Sequence, residues 1–218
     1  MLRVLLAARP EFVREAERTL RDPSQFKWYV VFLLALVFYL YTVEVERRRF
    51  DVLAAGLAVW LADWLNELLN SAILHATDRA PLWTETGSTA YQILIGLNIE
   101  TSFMFLLFGL VYAKSLPADR ELRILGMPNR LAIGLGYSLI AVGVEVVLHE
   151  WGVFHWEYWW WNWPFVPLIV LFGYLWFFLF AAYVFDRPTN RERFRALGLL
   201  AALNVVLAVV FGTVLGWL

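Results

Sequence analysis

Apolar residues fall into six long blocks separated by short polar connections: Phe26–Val43, Val52–Leu74, Ala90–Ala113, Leu131–Gly152, Pro164–Phe185 and Phe194–Leu218. Blocks of about 20 residues are long enough for an α-helix to cross a hydrocarbon core of about 30 Å. The pattern predicts an all-α, polytopic integral membrane protein with six transmembrane helices. A different periodicity precedes them. Between Pro10 and Asp22, Phe12, Ala16 and Leu20 share one helical face, and Glu11, Arg14, Glu15 and Arg18 share the other. This predicts an amphipathic interfacial helix, begun at Pro10 and ended by Pro23, lying on the membrane surface. The chain therefore divides into an interfacial segment, 1–25, and a single six-helix transmembrane domain, 26–218. The apolar run Val4–Ala8 is stopped by Arg9 and Pro10, too short for a secretory signal.

Composition agrees with this class. The chain of 218 residues is 61% hydrophobic and only 17% charged, outside the range of ordinary soluble domains. A net charge of −1 without a basic groove argues against nucleic acid as a partner. With no cysteine there is neither a disulfide nor a thiolate metal site.

Charge sets an expected orientation. Arg47, Arg48 and Arg49 lie in the first connection, Lys114, Arg120, Arg123 and Arg130 in the third, and Arg187, Arg191, Arg193 and Arg195 in the fifth. The second and fourth connections carry only Arg79. The positive-inside rule places connections one, three and five in the cytoplasm, against the six basic residues of the amino-terminal segment, Lys27 included. Tryptophan is one-sided in the opposite sense. The stretch HEWGVFHWEYWWWNWPF, His149 to Phe165, holds six of the twelve tryptophans, and Trp28, Trp83 and Trp217 fall near the same face. Indoles favour the headgroup level. An aromatic belt accounts for part of this excess, and the remainder suggests a floor or lid over a lipid-like ligand.

Inside the blocks are residues that a bilayer disfavours. Asp63, Glu67 and Asn70 recur at i, i+4 and i+7 in the second, Asn98 and Glu100 lie in the third, and Glu145 and His149 sit one turn apart in the fourth. At 1.5 Å rise per residue, Glu67 and Glu145 lie about 10 Å, and Glu100 about 15 Å, inside the same face. One ionised acid at a helix centre costs roughly 2.5–3.5 kcal/mol. Protonation, a bound cation or a shared proton must offset that cost. Intramembrane acids are functional by default, so Glu67, Glu100, Glu145 and His149 are the candidate catalytic residues. Asp63, Asn70, Asn98, Trp64, Trp151, Trp156 and Tyr158 are candidates to line the substrate space.

All three histidines lie toward one side. His75, His149 and His155, with Glu145 and Glu150, form a candidate nitrogen–oxygen site for a divalent metal, zinc or iron. The spacing matches neither HExxH nor the Glu-x-x-His of di-iron bundles. Structural readings stand beside these. Asn66, Asn70, Asn98, Thr101, Ser102 and Asn204 suit interhelical hydrogen bonds. Gly134, Gly136 and Gly143 suit close helix contact. Asp78, Glu85, Glu150 and Glu157 suit wet loop or interface positions, Asp78 and Glu85 above all.

From Gly143 to Phe178 the chain runs Gly-x-Glu, a second acid, clustered tryptophans with Tyr158, then Pro164-x-x-Pro167 and an aromatic span. This resembles small polytopic carotenoid-biosynthesis proteins of bacteria and archaea, the carotenoid hydratases and short lycopene cyclases. The resemblance covers about a sixth of the chain, and the Pro-x-Glu-Glu element of the cyclases is missing. It implies protonation of a polyene in an aromatic-lined membrane cavity, with Glu145 as the acid, in a bacterial or archaeal cytoplasmic membrane. The leading expectation is an enzyme acting on a lipid or isoprenoid-like molecule, by acid-catalysed alkene chemistry or by metal-assisted hydrolysis. The alternatives are a proton- or cation-coupled transporter or channel, and a pigment- or haem-binding subunit with histidine ligands.

Overall fold

The structure is a computed structural model and describes residues 9–218. The Val4–Ala8 run lies outside the described residues. Seven helices account for most of the described residues: α1 (Glu11–Thr19), α2 (Tyr29–Glu46), α3 (Phe50–Thr77), α4 (Ile99–Ser115), α5 (Asn129–Glu150), α6 (Val166–Phe185) and α7 (Asn190–Val214). Five of them, α2, α3, α5, α6 and α7, are long and apolar enough to cross a membrane. The sixth expected span differs. Residues 90–98 form a short hairpin, β2 (Gln92–Leu94) against β3 (Leu97–Asn98), and the helix begins only at Ile99. The reason is local: Asn98 is extended, and its side chain accepts from the Thr101 N–H at 2.8 Å, capping the helix there. The remaining 17 residues extend about 26 Å.

The chain is not wholly α-helical. β1 (Trp83–Glu85) pairs antiparallel with β6 (Phe154–Trp156), tying the α3–α4 connection to the α5–α6 connection. A third ribbon, β4 (Arg123–Ile124) with β5 (Met127–Pro128), lies between α4 and α5. The first helix is amphipathic as its periodicity predicts, but Val13 and Ala16 are buried against Leu74, Ala80 and Ile95 of the protein itself.

α3 is the central element, packed against α2, α4, α6 and α7. Its small residues permit this. A Cβ on Gly109 of α4 would sit 2.5 Å from the Gly56 carbonyl oxygen of α3, so those two backbones meet only because both positions are glycine. A Cβ on Gly134 would meet the Phe178 side chain at 3.3 Å, as expected of a close helix contact. Gly136 and Gly143 face open space instead and bring no helices together. Asn204 of α7 donates to the Leu61 carbonyl at 2.8 Å, a polar tie across an otherwise apolar seam. At the arginine-rich end, Arg130 makes a forked pair with Asp186 at 2.8 and 3.2 Å, and Lys114 pairs with the buried Glu44.

Candidate functional site

A cavity of about 220 Å3 lies between α3, α4, α5 and α6, beneath the β1–β6 ribbon. α3 contributes Asp63, Asn66 and Glu67 from one face, as the i, i+4 spacing dictates. α5 contributes Glu145 and α6 contributes Tyr174. The ribbon adds Trp83 and Glu85, and Trp161 closes over them, its ring stacked on that of Trp83 with centroids 6.2 Å apart. Most of the remaining wall is apolar, with Phe105, Phe108 and Phe177 prominent.

The four carboxyl groups are held differently. Glu67 Oε1 accepts from the Trp83 indole N–H at 2.7 Å. Glu145 Oε1 accepts from the Tyr174 hydroxyl. Glu85 is fully engaged, accepting from the Asn98 backbone N–H at 3.0 Å and the Thr101 hydroxyl at 2.8 Å. Three oxygens are buried with no hydrogen-bond partner among the described residues: Asp63 Oδ2, Glu67 Oε2 and Glu145 Oε2. No Lys, Arg or His is among the described residues lining the cavity. Ionised groups in this surround would be unpaired, and a buried unpaired charge costs several kcal/mol. The lining therefore suits carboxylic acids whose O–H points into the space. Glu85, in the ribbon outside the helices, titrates at about 7, because burial pushes it up more strongly than its two hydrogen bonds pull it down.

The supporting residues explain the precision. Asn70 lies one turn beyond Glu67 and does not line the cavity. Its amide donates to the Trp83 carbonyl at 2.8 Å, while its oxygen accepts from the Leu82 and Trp83 N–H groups at 2.7 and 3.3 Å, so it clamps β1 onto α3. Gly96 is required beside it: a Cβ there would lie 2.6 Å from the Trp83 indole. In α6, residues Ile169–Leu175 form a widened π-helical stretch, a feature often found at functional sites. The Gly173 carbonyl of this stretch accepts from Asn66 at 3.0 Å, and Tyr174 follows it.

One side of the cavity is open. Met104 on α4 and Ile140 and Val144 on α5 line it, yet are 41%, 56% and 46% exposed. Where helices are bathed in lipid, a gap bounded by such residues faces hydrocarbon.

Several sequence expectations are redirected. Glu100 does not share this chamber. Because the helix starts at Ile99, it stands in the first turn, where Thr89, the Ala90 N–H and Tyr29 hydrogen-bond to it. Asn98 caps that helix. The three histidines do not converge. His75 stacks on Trp217, and His155 stacks on Phe12 with Thr86 at 3.0 Å from Nε2. Burial holds the His155 imidazole below its usual range. His149 stacks on Trp156, and its Nδ1 lies 3.0 Å from the Phe154 carbonyl, closing the turn after α5. Glu150 is exposed, and no group of three His, Asp or Glu among the described residues is placed to hold a metal ion. Trp64 packs on Trp60, Trp151 is exposed, and Trp156 is buried outside the lining. Tyr158 donates to the Ala80 carbonyl at 2.9 Å.

Two participants escaped the sequence. Glu85 read as a wet loop residue, yet it is only 7% exposed. Tyr174 carried no polar signal inside its aromatic span. The isolated acid between Trp83 and the polar Thr86 was the available cue for the first.

Five helices long and apolar enough to cross a membrane, with a buried acid cluster among them, are what a membrane protein presents. The chain belongs to an uncharacterized membrane protein family, whose pattern matches residues 10–213. It is similar to an uncharacterized protein of Archaeoglobus fulgidus, 43% identical over 205 residues, which cover 94% of this chain and 97% of that one. No solved structure matches the chain.

Proposed function

We propose that the protein is a membrane-embedded enzyme that moves protons on a lipid or isoprenoid-like alkene. The observation that carries this reading is the combination of three partnerless carboxyl oxygens with a cavity opening sideways between α4 and α5. In this reading α4 spans the bilayer with the five longer helices, and α1 rests at the membrane surface. Connections one, three and five face the cytoplasm.

The chemistry is acid–base. The Glu145 carboxylic acid delivers its proton to one alkene carbon, so a C–H bond forms and the π bond breaks. The positive charge left on the neighbouring carbon faces the rings of Phe105, Phe177 and Trp161. The Tyr174 hydroxyl, already donating to Glu145, stabilises the carboxylate that results. The Glu145 carboxylate so formed removes a proton from the adjacent carbon, which restores the acid and completes an isomerisation without net oxidation, while Glu67, oriented by the Trp83 N–H, and Asp63 one turn away stay protonated beside it.

The test uses lipid extract of the producing cells, incubated with the purified protein in D2O and analysed by mass spectrometry. Deuterium is expected in unsaturated lipids with the wild type. Glu145→Gln should lower it by about 10²–10⁴-fold, and Met104→Trp, which fills the lateral gap, should lower it too. Wild-type incorporation no greater than that of Glu145→Gln overturns the reading.

A second reading, proton-coupled transport, is favoured by one feature: the π-helical interruption of α6 at the level of the acids, since transporter sites are built on interrupted helices. Proton flux in proteoliposomes that Glu145→Gln abolishes would put it first.

A further inference from the structure

We infer that the cavity is a receptor for a lipophilic ammonium ion, which enters between α4 and α5 and displaces one proton from the Asp63, Glu67 and Glu145 group. The inference rests on the reading that this cavity is the ligand site, and not on any chemistry performed there.

Charge comes first. The lining brings together four carboxyl groups and no cationic side chain among the described residues. Glu85 is satisfied by Asn98 and Thr101, but Asp63, Glu67 and Glu145 each present a buried oxygen with no partner. Protonation removes the charge from these carboxyl groups and leaves their hydrogen-bonding needs unmet. A ligand carrying positive charge can take the place of one such proton.

The form of the charge follows from the walls. A compact metal ion needs several oxygens within reach of one point, and no group of three acids among the described residues provides it. Diffuse charge has different needs. An alkylammonium ion keeps its charge spread over surrounding methylene groups, so ring faces attract it and distant carboxylates suffice. Phe105, Phe108, Phe177, Trp83, Trp161 and Tyr174 supply those faces. Phe105 is stacked on Tyr174 at 6.2 Å and meets Phe177 edge-on at 6.1 Å, so this part of the aromatic wall is already formed. The exposed apolar rim at Met104, Ile140 and Val144 disfavours a hydrated ion and admits one that partitions into lipid.

The probe is tetraethylammonium, with the neutral isostere 3,3-diethylpentane as comparison, in detergent-solubilised full-length protein. Titration calorimetry in two buffers of different ionisation enthalpy counts the protons released. The expected result is about one proton per cation, with affinity weakening about tenfold for each unit of pH lowered while the displaced group is protonated. Glu67→Gln and Glu145→Gln should each weaken binding at least about tenfold, equivalent to about 1.4 kcal/mol. Glu150→Gln, at an exposed position, should leave it unchanged, and melting curves confirm that each variant is folded. Binding without proton release, equal binding in Glu145→Gln, or equal competition by 3,3-diethylpentane overturns the inference, as does no binding. Ammonium binding without deuterium transfer removes the enzyme reading and leaves this inference standing. Deuterium transfer without ammonium binding does the reverse.

Discussion

The Tyr174 hydroxyl donates to one oxygen of Glu145, and the other oxygen of Glu145 is buried with no hydrogen-bond partner among the described residues. The two residues come from different helices, α6 and α5, so their pairing measures how well the cavity is assembled. One oxygen is anchored and the other is free to act.

Removing the anchor should cost stability as well as turnover. Tyr174→Phe keeps the ring and its packing on Phe105 and Phe177 but leaves a second Glu145 oxygen unsatisfied. A loss of about 1–3 kcal/mol is expected, read as a lowered unfolding midpoint in detergent. In Tyr174→Phe/Glu145→Leu the loss should be smaller than the sum of the two single losses, because neither partner is then stranded.

Asn70 should matter more than its position outside the cavity suggests. Asn70→Ala strands the Trp83 carbonyl and the Leu82 N–H, and a destabilisation of more than about 2 kcal/mol is expected. Asn98→Ala, which removes one helix cap, should cost about 1 kcal/mol. Comparing the two melting shifts checks the ranking.

Gly96→Ala tests the fit of the ribbon. Its methyl group would meet the Trp83 ring and the Asn70 amide at 2.6–2.7 Å, so one must shift, at a cost of about 1–3 kcal/mol. Because Trp83 orients Glu67, deuterium transfer should fall with stability. Unchanged melting and activity together would refute this packing.

Glu85 sets a pH dependence. Burial raises it from the usual carboxylate value of 4.5 to about 7 in the folded chain. Between those values the folded state holds more protons than the unfolded state, so stability is fully present below about pH 4.5 and declines as pH rises through about 7. In Glu85→Gln the part of this slope contributed by Glu85 should disappear, which unfolding midpoints at pH 5, 6, 7 and 8 would show.

Much of the architecture was legible in the linear pattern. Five apolar blocks became helices long enough to cross a membrane, because burying main-chain polar groups in hydrocarbon leaves helix as the economical solution for a single segment. The spacing of Asp63 and Glu67 already placed both on one face. The third block misled because its first nine residues are as apolar as a helix interior, while Asn98 and the hairpin at Gly96 stop helix formation before Ile99. That shift of several residues carried Glu100 from an apparent membrane depth to a capped helix end.

Outside the third block, the linear pattern determined where the long helices run, and in α3 which face carries Asp63 and Glu67, since both follow from hydrophobicity and from 3.6 residues per turn. Only the tertiary structure decided which polar faces meet. Glu85 and Tyr174 reached the cavity through strand pairing between β1 and β6 and through the widened turn of α6, contacts made between segments distant in the chain. The histidines, close in one-dimensional projection, were carried apart to separate aromatic neighbours by the same packing. Sequence spacing records distance along one helix; distance between helices depends on small residues such as Gly56 and Gly109, whose effect exists only once two backbones touch.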